Sequence, residues 1–316
     1  VSHIKCAAFE LPFSDGETFG DQPINEILAF LEDEGILRHV GGRWHWMAES
    51  FPAEDISLRS ASAENFVIID ITEGAKVIGE VDRSSAPMLI HEEAIYIHAG
   101  QQYQVEKLDY EEKKAYVRKV NVDYYTDANL AVEIKVLDMF REKTVANSQN
   151  YLGEVMVTSL ATMFKKIKFF THENLGFGPI HLPPEEMHTT AYWISIPENT
   201  GGLSIEEIKS GLLGLCNVMV NIAPLYLMCD PKDIRRVVQI KSPFTQKPTI
   251  FIYDNFPGGV GFAEKLYTME DQLLKAARQV ILECDCEDGC PSCVGPHEEV
   301  GHGSKDFALK IIKGVL

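Results

Sequence analysis

The chain has 316 residues, 45% of them hydrophobic and 24% charged, with a net charge of −18. That composition is globular, and the length suggests two or three domains in place of a single core. The acidic excess repels nucleic acid and anionic membrane, so it excludes a generally sticky polyanion binder and leaves such contacts to local basic patches.

The start, "VSHIKCAAFE", has no initiator Met, no basic segment and no apolar signal run, so it is not a signal peptide and reads as a cut end. "HIKCAAFELPF" (His3 to Phe13) has an apolar helical face. "DQPINEILAFLEDEGI" spaces Ile24, Ile27, Leu28 and Leu31 as a second helix, with Pro23 near its start and Gly35 at its stop. "ILRHVGGRWHWM" (Ile36 to Met47) is two short strands about a Gly-Gly turn. Helices followed by a hairpin describe a winged helix over residues 1–58. Glu32, Asp33 and Glu34 give the second helix the wrong sign for a DNA groove, so nucleic-acid contact falls to the wing. Arg38, Arg43, Trp44 and Trp46 are its candidates; the plainer alternative has the tryptophans packed on a neighbouring domain and the arginines solvated.

From residue 59 to 137 the period changes to two, in "NFVIIDI", "KVIGEV", "AIYIHAG", "QYQVEKLD" and "AYVRKVNVDYY". Short strands at that spacing predict a small antiparallel β-barrel. The remainder, 138–316, is expected to be an α/β domain. It opens with strands in "GEVMVTSLATMFKKIKFF" and "HTTAYWISIP" around a Gly/Pro-rich loop. Lys165, Lys166 and Lys168 interleave with aromatics there, the composition of a single-strand-binding surface, although lysines also protect strand edges. Gly211 to Cys229 carries no charge and approaches membrane-spanning length, but Asn217, Asn221 and Pro224 interrupt it and "SIEE" opens it as a capping box, so a buried core helix is expected. "PKDIRRVVQI" reads as a helix or turn offering Arg235 and Arg236 to phosphate. "TIFIYD" is a buried strand ending at Asp254, and "PGGVG" leads into a helix over Ala263 to Leu282. Neither G-x-G-x-x-G nor G-x-x-x-x-G-K-[ST] occurs, so the glycines are read as tight backbone packing, and no residue of the chain is assigned a catalytic role.

Seven cysteines are present, an odd number, and Cys6, Cys216 and Cys229 stand isolated among apolar neighbours as free thiols of a reducing compartment. The other four, Cys284, Cys286, Cys290 and Cys293, follow C-x-C-x₃-C-x₂-C. Four thiolates in one short loop satisfy the tetrahedral demand of a structural Zn²⁺. Such an ion would set the angle between the helices on either side. Disulfides Cys284–Cys290 or Cys286–Cys293 and an iron–sulfur cluster are the alternatives, and His297 or His302 could replace a thiol.

"HIKCAAFELPF", "GEVDRSSAPMLIHEEAIYIHAGQQYQV", "YDNFPGGVGFAEK" and "CDCEDGCPSCVGP" together resemble the carboxyl-terminal half of MrfA-type superfamily 2 helicases, the bacterial mitomycin repair group with fungal relatives. The resemblance implies that two RecA-like motor domains, binding ATP and Mg²⁺, precede this region and translocate 3′ to 5′ on DNA. It implies a winged helix and a zinc domain here, with the four cysteines as ligands. The ATPase residues of the family have no counterpart in this chain. The expected role is therefore an accessory region of a DNA repair helicase, cytoplasmic and nucleoid-associated, whose partners are single-stranded and junction DNA, its own motor domains and a repair exonuclease, with no membrane contact. Two alternatives of other classes are a metal-dependent hydrolase built on Asp254 with Asp230, Glu264 and His297, and a module that recruits a nuclease.

Overall fold

The computed structural model describes residues 1–20, 22–55, 65–197 and 202–316. It is an α+β molecule, taken below in three parts, and the domain boundary expected at 58/59 lies outside the described residues.

The first module comprises α1 (Ser2–Glu10), β1 (Phe13–Ser14), β2 (Thr18–Phe19), β3 (Gln22–Pro23), α2 (Asn25–Asp33), β4 (Leu37–Val40) and β5 (Arg43–Trp46). Its core is Ile4, Ala8, Phe13, Ile24, Leu28, Leu31 and Leu37. Gly41 and Gly42 both adopt positive φ, as a two-residue hairpin turn between right-twisted strands requires. Strand β1 adds to the hairpin in the order β1-β5-β4, which completes the wing.

The second module holds β6 (Asn65–Asp70), β7 (Lys76–Asp82), α3 (Ala86–Leu89), β8 (Ile95–His98), β9 (Gln101–Asp109) and β10 (Lys114–Lys119), ordered β7-β6-β10-β9-β8. The expected wholly antiparallel pairing fails at one point, because β10 runs parallel to β6. Alternation explains why: this register puts Ala115 and Val117 on the buried face shared with Phe66 and Ile68. The outer strands curl together until the His98 ring lies 3.2 Å from where a Cβ on Gly79 would be. No ladder joins β7 to β8 among the described residues, so the sheet is a partly open barrel.

The third module begins earlier than position 137. β11 (Tyr124–Val145) runs through that position and pairs along its length with β12 (Ser148–Lys168). β13 (Asn174–Pro179), β14 (Glu185–Ser195), β15 (Ile234–Gln239) and β16 (Thr249–Asp254) complete a sheet ordered β11-β12-β14-β16-β15. The segment "IRRVVQ", expected as a helix or turn, is thus an edge strand, held against the wholly buried β16 by six register pairs. The sheet rolls over until the Gln239 amide donates to the Ile134 carbonyl at 3.1 Å, bringing its first and last strands together. Tyr151, Val155, Val157, Trp193 and Phe251 fill the concave side. Alternate residues, among them Leu152, Tyr192, Ile194, Ile250 and Ile252, bury against helices on the other side.

Those helices are α4 (Ile205–Leu227), α5 (Phe262–Thr268), α6 (Glu270–Glu283), α7 (His297–Val300) and α8 (Ser304–Val315). Ser204 and Glu207 form the capping box that starts α4. Among the described residues α4 is the one helix long and apolar enough to cross a membrane, and 67% of its most apolar window is buried in the core. Gly211 lets α8 press close, since a Cβ there would stand 2.8 Å from Ile311 Cδ1. Contacts also tie the second module to the third. Glu185 accepts from Arg83 Nε at 3.2 Å and from the Tyr110 hydroxyl, and His91 stacks on Phe164 at 4.6 Å.

Candidate metal centre and nucleic-acid face

The cysteine loop leaves α6 at Cys284 and returns toward α8. Cys293 and Gly295 both donate their backbone N–H to the Cys290 carbonyl at 3.0 Å, closing a tight knuckle. Gly289 makes that closure possible, because its φ is 144° and a Cβ there would lie 2.6 Å from the Gly295 carbonyl. Neighbouring Sγ atoms are 3.4 to 3.6 Å apart, and all four lie within 4.8 Å of one another. A tetrahedral zinc with Zn–S of about 2.3 Å needs sulfur separations of about 3.8 Å, whereas a disulfide needs about 2.05 Å. The spacing fits one ion. It is too wide for a bridge, and a multi-iron cluster would spread its thiolates further.

Like charges in one loop oppose each other. Burial first, then the adjacent thiols, push Cys286 up to about 12, and burial raises Cys293 as well. The Cys286 backbone N–H holds Cys284 down to about 7. A dication reverses this resistance, because a metal-bound thiol is deprotonated outright. The surroundings favour that state: Lys305 of α8 places its ammonium 2.6 Å from the Cys284 and Cys286 carbonyls. Asn217 of α4 donates to Val294 O at 2.9 Å, and Asp288 accepts from His302 at 2.8 Å and from the Gly303 N–H. The loop is therefore cross-braced to α4 and α8. His297 and His302 stack on each other at 4.7 Å outside the thiol cluster and do not replace a cysteine. Lys305, Asn217 and Asp288 have no local signature in the sequence, because each meets the loop only through the fold.

Asp254 is fully buried, and its carboxylate accepts four backbone N–H groups: Val260, Gly261 and Phe262 at 2.7, 2.9 and 3.2 Å, and Ala263 at 2.8 Å. The Gly-rich turn is thus an anion nest whose anion is built in, and the same carboxylate caps α5. Glu264 pairs with Arg141 at 2.9 Å and His297 with Glu298 at 3.2 Å. Among the described residues, Asp254, Asp230, Glu264 and His297 do not assemble as a metal-binding group. Gly259 sits where a Cβ would overlap Thr190 Oγ1, at a φ of 75°. Gly259→Ala is expected to destabilise the chain by roughly 2 kcal/mol in urea unfolding, and an unchanged midpoint would show the turn to be loose.

The wing separates its candidates. Register places Arg38 opposite His45 and Val40 opposite Arg43, so both arginines share one exposed face with His45. Trp44 and Trp46 lie on the other face and, among the described residues, pack against the module's own core. Trp44 donates to Asp15 at 3.0 Å with the His39 ring stacked on it at 4.3 Å, and Trp46 donates to Ala48 O at 2.6 Å. Lys166 pairs with Glu93 at 3.2 Å and Lys168 with Asp123 at 3.8 Å, while Lys165 is exposed. Arg235 and Arg236 are exposed neighbours on β15 whose side chains leave opposite faces.

Residues 215–294 match the MrfA Zn-binding domain, and residues 1–61 match the winged helix domain of the ATP-dependent helicase HRQ1. The ATP-dependent helicase YprA of Bacillus subtilis (strain 168) is 51% identical over 314 residues, 99% of this chain and 42% of YprA. HRQ1 of Saccharomyces cerevisiae is 24% identical, over 92% of this chain and 28% of HRQ1. A crystal structure of the DUF1998 helicase MrfA bound to DNA aligns with a TM-score of 0.68 and 49% identity, covering all of this chain and 42% of that one. The chain thus spans less than half the length of these relatives. With matches to the HRQ1 winged helix domain and to the MrfA Zn-binding domain, and alignment over its whole length with MrfA, the chain is similar to the carboxyl-terminal part of the MrfA-type helicases.

Proposed function

We propose that this chain is the accessory region of an ATP-dependent 3′–5′ DNA repair helicase acting on mitomycin-type damage in the cytoplasm, beside the nucleoid. The observation that carries the reading is the union, in one chain, of a winged helix with a four-thiol zinc domain, as in MrfA. ATP and Mg²⁺ would belong to RecA-like motor domains outside the residues described above. A motor that pulls one strand unwinds a duplex only if something rigid excludes the other. The exposed arginine face of the wing supplies a phosphate contact at that fork, and the zinc site stiffens the module behind it. Bound zinc here supplies structure alone, since four thiolates leave no open position for a water.

Few phosphates are neutralised against a net negative field, so binding by this chain should be weak and fall steeply with salt. In fluorescence anisotropy with forked DNA at low salt, Arg43→Ala is expected to weaken binding and to reduce the salt slope by about 0.9. Identical affinity and slope in that variant would take the wing out of the account.

A further inference from the structure

We infer that the β12–β13 hairpin is a stacking platform for unpaired nucleobases, with Phe170 and Phe177 as its stacking side chains. The inference rests on the DNA-binding reading above and adds which surface takes the single strand. Residues 161–181 hold three lysines and one carboxylate, Glu173, in a chain whose net charge is −18, although Glu93, Asp123 and Asp127 from neighbouring segments face those lysines.

Side chains alternate across β12, and the two faces have different fates. Ala128, Ala161 and Phe164 are buried together with Ile180. The opposite face carries Lys165 directly across from Phe177, with Ile167 across from Tyr125 in a nearby row. Phe177 is 73% exposed. Lys165 forms no ion pair among the described residues, unlike Lys166 and Lys168, although exposed Asp127 stands directly across from it on β11. An exposed aromatic ring beside a lysine that holds no ion pair matches the two needs of a single strand, a π-face for the base and a cation for the phosphate, with Asp127 the one acid across from that lysine.

The hairpin tip points the same way. Phe170 is 98% exposed, and its φ of 65° is a conformation that a bulky side chain rarely adopts. Thr171 N–H to Phe169 O at 2.7 Å and His172 N–H to Lys168 O at 3.1 Å hold the tight turn that displays it. Beside it opens a cavity of about 710 Å³, bordered by Phe169, Phe170 and Lys168 on one side and by Gln101, Asn121 and Asp123 on the other, with Asp123 paired to Lys168. That is large enough for a nucleotide, and the Asn121 amide can meet a base edge, whereas Gln101 Nε2 already donates to the Gln102 and Val120 carbonyls.

Binding of the 316-residue chain to fluorescent oligothymidine and to a blunt duplex of equal length tests the inference. Phe170→Ala combined with Phe177→Ala is expected to weaken oligothymidine binding roughly tenfold or more while leaving the duplex unchanged. Lys165→Ala should reduce the single-strand salt dependence. Both rings are solvent-exposed, so the fold should survive, and Phe170→Tyr with Phe177→Tyr should restore binding. Oligothymidine affinity unchanged in the double alanine variant would overturn the assignment while leaving the wing reading intact. A parallel loss for duplex and single strand would equally remove its specificity for unpaired bases. Wild-type chain that bound no DNA in any form would bring down the functional reading itself.

Discussion

Stripping zinc from this chain is expected to unfold the corner around Cys284–Cys293 and to release α8 from α4. Apart from Cys293 and Val294, which are buried in the main core, the loop is held by few groups of its own. It is braced by Lys305, Asn217 and Asp288, and each brace needs the loop already closed. Zinc binding in short thiolate loops is itself folding free energy, so its loss should cost several kcal/mol. At about 2–4 °C per kcal/mol, Cys290→Ser or Cys293→Ser should melt roughly 10 °C below the parent chain. Elemental analysis should find one zinc per chain. A thiol-reactive chelator should remove it with loss of α8 protection in hydrogen exchange, and added zinc should restore both. Metal-free protein with the same melting temperature and the same protected α8 would refute the structural role. The strands around Trp193 should persist through the change, because they form a separate buried cluster.

Asp254→Ala should destabilise the chain by about 3 kcal/mol or more, among the largest effects available to a single polar side chain here. Four N–H groups converge on that carboxylate, and the Ala263 N–H at least is buried. Removing the acceptor leaves donors unpaired away from water, at about 1–3 kcal/mol for each that stays so. Asp254→Asn retains one oxygen but turns an amide donor toward the other N–H groups, so it should recover only part of the loss. Urea unfolding reads both. Incubating the wild-type chain with labelled DNA and Mg²⁺ or Mn²⁺ should produce no cleavage, because the Asp254 oxygens are already engaged. Steady cleavage lost in Asp254→Asn would reverse that conclusion and revive the hydrolase.

The wing shows how far the residues themselves could be read. Its Gly-Gly turn and apolar spacing identify the hairpin, yet composition alone groups Trp44 and Trp46 with Arg38 and Arg43. Pairing register divides them, placing the arginines outward and the tryptophans on the core. The PGGVG turn repeats the lesson. Its glycines mark a close backbone approach, but the ligand of the nest is an aspartate on β16, fixed by the fold.

Local patterning determined the winged helix, the capping box of α4 and the four-thiol zinc loop, since each depends on residues a few positions apart. Tertiary structure alone decided that β10 lies parallel to β6, that β15 is a strand, that β11 passes through position 137, and that Gln239 meets Ile134 across the rolled sheet. The physical reason is the range of the interactions. Turns, caps and chelate loops are selected by short-range sterics and ligand spacing, whereas strand partners are chosen by which distant faces bury the most apolar surface together.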